Sequence, residues 1–163
     1  MTVSITALSG QLGEQLKQHK QILATAESCT GGGVASAITD IAGSSGWFDR
    51  AFVTYSNDAK MEMLGVSAES LEQHGSVSEE VVEEMAKGAL NHSCATIAIA
   101  ISGIAGPDGG TAIKPVGTVC FAWLDKSGWL RKETCLFSGD RAAIRQAAVF
   151  HALQVVSDYL TIK

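Results

Sequence analysis

The stretch ILATAESCTGGGVASAITDIA, Ile22 to Ala42, decides the architecture. Its start, ILATA, is small and β-favouring, and the segment after the glycines, VASAITDIA, suits a helix. A strand, a glycine-rich turn and a helix in succession open an α/β layer protein. The connection carries Glu27, Ser28, Cys29 and Thr30 in a row, more chemistry than a turn requires.

Upstream, Ile5, Leu8, Leu12 and Leu16 recur at three and four residues and predict an amphipathic helix over Ser4 to His19. Downstream, RAFVTY predicts a strand over Arg50 to Tyr55. Asn57 is placed to cap a helix over Ala59 to Leu64, with Gly65 as its C-terminal glycine. A short helix is expected over Ala68 to Gln73. Ser78 caps a stronger one, Glu79 to Asn91, whose first-turn glutamates suit the helix dipole. TIAIAIS, Thr96 to Ser102, is an apolar, β-branched run expected as a central strand. After the loop Gly103 to Pro115, the segments Val116–Leu124 and Trp129–Phe137 predict a hairpin. A last helix is expected over Arg141 to Leu160. The order α-β-α-β-α-α-α-β-β-β-α implies a parallel portion with an added antiparallel pair, in a mixed sheet covered by helices on both faces.

The chain of 163 residues suits one domain, here expected over 1–163, and its 46% hydrophobic content suits a packed core. A net charge of -5 argues against a nucleic-acid partner. No run approaches the roughly 18 apolar residues of a membrane span. The N-terminus lacks the basic start and apolar centre of a signal peptide. The four cysteines, Cys29, Cys94, Cys120 and Cys135, form no CxxC pair. A cytoplasmic chain with reduced thiols is the expectation.

In an open α/β sheet, ligands bind beyond the carboxyl ends of the strands. Three strands here end unusually: at AESCTGG, at TYSNDAK (Thr54 to Lys60) and at SGIAGPDGG (Ser102 to Gly110). If the strands are parallel neighbours, their tips share one edge. Ser28 then stands before a helix N-terminus whose unpaired donors, near Thr30, Gly31 and Gly32, suit an oxyanion. A serine nucleophile needs a base. The four histidines lie in or beside helices, away from the strand ends. Lys60 is the better candidate, because burial depresses an amine, and Ser-Lys pairs are an accepted hydrolase variant. The Tyr55 hydroxyl is placed to relay a proton or orient the pair. Residue types alone leave Ser28 open as a helix cap, Lys60 as a solvated side chain, and Cys29 as a rival nucleophile or a buried thiol.

The loop Ser102, Gly103, Gly106, Gly109, Gly110 offers backbone N–H groups to an anion, although it matches neither dinucleotide fingerprint nor P-loop. Arg141 and Arg145, four residues apart at a helix start, oppose the dipole unless an anion sits there. A flexible turn and pairing with acidic side chains are the plain alternatives.

AESCTGG, VTYSNDAK with LGV, HGSVSEE, SGIAGPDGG, KPVGTV and FSGDR, in this order, closely resemble the CinA C-terminal domain family over about Ser4 to Leu160. The resemblance implies a three-layer α/β/α sandwich with a mixed, mostly parallel sheet. It implies hydrolysis of the carboxamide of nicotinamide mononucleotide to nicotinate mononucleotide and ammonia. It carries the nucleophile onto Ser28, the lysine onto Lys60 and the tyrosine onto Tyr55. No metal and no organic cofactor are implied. The implied partners are a small phosphorylated nucleotide and a second copy of the chain. Trp47-Phe48, beside a glycine-serine loop, reads most simply as core, with exposed contact residues as the alternative. A Ser-Lys amidase for another substrate and a non-catalytic nucleotide-binding module stay open as alternatives.

Overall fold

A computed structural model describes residues 3–163. The hydroxyl of Ser4 accepts from the Ala7 N–H at 3.0 Å and starts α1 (Ile5–Gln18), whose buried stripe is Leu8, Leu12 and Leu16. There follow β1 (Leu23–Glu27), α2 (Gly33–Thr39), a 3-10 turn at Ser44–Gly46, and β2 (Phe48–Val53). Next come α3 (Asn57–Leu64), α4 (Ala68–His74), α5 (Glu79–Asn91) and β3 (Ile97–Gly103). The hairpin β4 (Thr118–Asp125) and β5 (Leu130–Leu136) leads to α6 (Arg141–Thr161).

The five strands form one mixed sheet, ordered β2-β1-β3-β4-β5. β2, β1 and β3 run parallel; β4 and β5 are antiparallel additions. Alternation along each strand builds two cores. On one face Ile97, Ile99, Ile101, Phe121 and Trp123 pack with α1, α2 and α6. On the other, Ala26, Ala98, Ala100 and Ala122 let α5 come close through Val82, Met85 and Ala86. The result is a three-layer α/β/α arrangement.

Two local expectations are corrected, and Trp47 takes the simpler of its two readings. The second strand spans Phe48–Val53, two residues earlier than expected at each end, so Thr54 and Tyr55 belong to the loop beyond it. It is an edge strand and only half-buried, so hydrophobicity marks its limits poorly. The cap of α3 is Ser56, which accepts from the Ala59 N–H at 3.0 Å, and Asn57 is the first helical residue. Trp47 is core: it is buried against Gly13. Among the described residues, no helix is long and apolar enough to cross a membrane.

Register aligns the strand tips. Glu27, the last residue of β1, pairs with Val53 of β2 and Ile101 of β3. Parallel direction therefore sends the three loops off one edge of the sheet.

Candidate active site

Ser28 directly follows β1 and is 7% exposed; Lys60, in the first turn of α3, is 1% exposed. The Lys60 Nζ lies 3.1 Å from Ser28 Oγ. It also lies 2.9 Å from the Thr54 carbonyl oxygen and 3.1 Å from that of Tyr55. Among the described residues no carboxylate pairs with it. Burial depresses the amine below its ordinary range. An ammonium donates to all three oxygens. A neutral amine keeps two donors on the carbonyls, so its lone pair faces Ser28 Oγ.

Tyr55 reaches the pair differently from expectation. Its carbonyl holds Lys60 and also lies 3.4 Å from Ser28 Oγ. Its side chain is 64% exposed, and its hydroxyl accepts from Arg141 Nη2 at 3.4 Å. A backbone group thus orients the lysine where a phenol was expected.

The backbone N–H groups expected to serve an oxyanion are arranged differently from expectation. Glu27 is fully buried, and its carboxylate occupies the start of α2, accepting from Val34 N–H at 2.9 Å and Ala35 N–H at 3.0 Å. The hydroxyls of Thr25 and Thr30 donate to it as well, at 2.9 and 2.7 Å. These helix donors are therefore taken. Gly31 N–H donates to the Ser28 carbonyl at 3.0 Å. Among the described residues, the N–H groups of Cys29, Thr30 and Gly32 have no protein acceptor. Gly31, at φ +58, and Gly32, at φ +94, adopt the left-handed backbone this tight loop needs. Cys29 is an inert neighbour: burial pushes its thiol up to about 11, so it is protonated at neutral pH.

Arg145 and Arg141 tie the loops together. Arg145 Nε donates to the Cys29 carbonyl at 3.0 Å, and Nη2 to that of Thr30 at 3.2 Å. Arg141 Nη1 donates to the Gly106 carbonyl at 2.8 Å. Both expected phosphate ligands thus spend part of their guanidinium on main-chain carbonyls. Hollows of about 320 Å³ each lie against them, one lined by Thr30, Gly33 and Arg145, the other by Ala105, Pro107 and Arg141. Ser28 lines neither.

In the third loop, Ser102 is buried within β3. A side chain on Gly103 would stand 2.7 Å from Val119 and 3.1 Å from the Cys29 sulfur, so this glycine serves packing against the first loop. Gly110 similarly lies against Val116. The N–H groups of Asp108, Gly109 and Gly110 have no acceptor among the described residues, which leaves the tip able to meet an anion. The residues that sequence reasoning missed are Glu27, Thr54 and the Tyr55 backbone. A carboxylate just ahead of a glycine-led helix start was the available signal for Glu27.

A model of the CinA C-terminal domain matches residues 5–160. The chain is 58% identical over 150 residues to nicotinamide-nucleotide amidohydrolase PncC of Escherichia coli (strain K12), covering 91% of this chain and 90% of the relative. It is 56% identical over 154 residues to the protein of that name in Enterobacter agglomerans, covering 94% of each. The crystal structure of a competence-damaged protein (CinA) superfamily member from Klebsiella pneumoniae superposes with a TM-score of 0.94 at 39% identity, over 99% of this chain and 100% of that one.

Proposed function

The chain belongs to the CinA C-terminal domain family, and from that premise we propose that it hydrolyses the carboxamide of nicotinamide mononucleotide, giving nicotinate mononucleotide and ammonia. The observation that carries the reading is the 3.1 Å approach of Lys60 Nζ to Ser28 Oγ, with two carbonyls fixing the remaining amine valences. The names of the relatives supply the substrate class.

In the proposed reaction, neutral Lys60 takes the Ser28 hydroxyl proton as Oγ attacks the amide carbon. The N–H groups of Cys29, Thr30 and Gly32 meet the oxyanion. The Lys60 ammonium returns the proton to the departing nitrogen, and ammonia leaves. Water then attacks the acyl-serine, passing its proton through Lys60 back to Oγ. Arg141, Arg145 and the tip of the Gly103–Gly110 loop are assigned to the ribose phosphate. A single domain acting as a cytoplasmic homodimer completes the proposal.

Ser28→Ala tests it. Ammonia release from nicotinamide mononucleotide is expected to fall by roughly 10³-fold or more, with substrate still bound in calorimetry. Near-normal turnover would end the assignment. Nicotinamide and glutamine, which lack the ribose phosphate, are expected to be poor substrates of the wild-type chain.

A further inference from the structure

Away from the strand tips, β5 and α6 bring together three side chains of different ligand chemistry. Glu133 and Cys135 stand two residues apart on β5 and so share one face of the sheet. That face meets His151 of α6. One ligand atom from each residue, a carboxylate oxygen, a sulfur and an imidazole nitrogen, lies within 4.8 Å of the other two. All three residues are half-buried, open enough for an ion to enter.

The cluster is held from outside. Arg131 Nη2 donates to Glu133 Oε2 at 3.2 Å and leaves Oε1 turned to His151 Nε2, with which it is in close contact. The imidazole is boxed by Phe121, Trp123 and Phe137, steeply inclined to it, at centroid distances of 5.0, 5.8 and 6.1 Å. Such outer contacts fix the direction of metal ligands.

We propose that Glu133, Cys135 and His151 form a binding site for a divalent transition-metal ion of the zinc type, with a fourth position open to solvent. Carboxylate, imidazole and thiolate are the donors that Zn²⁺ and Co²⁺ combine. As the ion binds, the Cys135 thiol releases its proton to solvent, and the resulting thiolate with the Glu133 carboxylate balances the ion's charge. Tetrahedral bonds of about 2.0–2.3 Å place donor atoms roughly 3.3–3.8 Å apart, so small side-chain rotations complete the site. An Arg131–Glu133–His151 ion pair alone would explain two of the residues and leave Cys135 without a role. β5 is the edge of the sheet, paired on one side only. A bound ion fastens this edge to α6, and its effect is on stability. Three strand spacings, roughly 14 Å, separate the site from β1, so the amide reaction does not pass through it.

The experiment is titration of the reduced, chelator-dialysed protein with Co²⁺ and then Zn²⁺. One equivalent of Co²⁺ is expected to produce a thiolate-to-metal charge-transfer band, which Zn²⁺ abolishes while raising the melting temperature. Cys135→Ser, nearly isosteric, and His151→Gln are each expected to lose the band and the thermal shift. Cys94→Ser, which alters an exposed thiol elsewhere, is expected to keep both. Should His151→Gln not fold, Cys135→Ser decides alone. No band in the wild type, or a band retained in Cys135→Ser, overturns the proposal. Deamidase activity does not enter the readout, so this test stands apart from the fate of the proposed function.

Discussion

At the scale of single residues, the site turns on what surrounds one amine. Burial lowers the Lys60 pKa, and three oxygens define where its protons point. Lys60→Met is expected to reduce ammonia release by roughly 10³-fold or more. In the wild type, kcat/KM should climb with pH and level off below the ordinary lysine range of about 10.4. The linked stability has a defined sign. Between the depressed folded pKa and the ordinary unfolded one, the unfolded chain binds the extra proton. Stability of the wild type relative to Lys60→Met therefore rises with pH across that window and is flat below it. Denaturant midpoints measured for both proteins from neutral to alkaline pH check this; a falling difference would show that Lys60 is stabilised as an ammonium. Glu27 is the second such residue. Its carboxylate accepts from two hydroxyls and two helix N–H groups, and glutamine would turn an NH₂ donor toward donors. Glu27→Gln is expected to lose about 1–3 kcal/mol of stability and to lower kcat more than it raises KM, because the loop bearing Ser28 loosens. Unfolding curves and steady-state rates test both halves.

At the scale of elements, two helical glycines set apart propensity and packing. Gly88 of α5 sits against α3: a Cβ there would lie 2.8 Å from the Leu64 carbonyl carbon and 2.9 Å from its Cα. Alanine gains about 1 kcal/mol of helix propensity, but backbone cannot yield as a side chain does. Overpacking of about 3 kcal/mol or more should dominate. Gly10 of α1 has only the tip of Ile41, 3.9 Å away, so Gly10→Ala should stabilise by about 0.5–1 kcal/mol. Opposite changes in melting temperature are the expected result. Elements with such strong local signals were legible in the sequence: the Ser78 cap with its first-turn glutamates gave α5 its limits, and the apolar run of β3 gave a central strand. β2 was misplaced because its half-buried residues, FDRAFV, offer neither clean alternation nor a continuous apolar run. The α3 cap was misplaced by one residue because Ser56 and Asn57 are both good caps, and only the backbone decides between them.

At the scale of the whole molecule, three strand tips meet because β2, β1 and β3 are parallel neighbours, a consequence of the crossovers written in the element order. The approach of Ser28 to Lys60 was legible for that reason. The Glu27 plug, the Tyr55 carbonyl and the grip of Arg145 on two carbonyls were not, because they depend on where backbone atoms fall, which residue types do not encode. The start of α6 is what joins the tips: Arg145 holds the first loop, and Arg141 holds the third and touches Tyr55 of the second. Arg145→Lys separates the two tasks this arginine can have. A lysine keeps the positive charge for a phosphate but lacks the planar fork that spans Cys29 and Thr30. If Arg145 positions the oxyanion donors, kcat falls by roughly 100- to 1000-fold, as for loss of a preorganised donor, and amide hydrogen exchange of residues 29–32 speeds up in the substrate-free protein. If it serves only the phosphate, KM alone rises and exchange is unchanged. The two carbonyl bonds, present with no substrate in place, favour the first outcome.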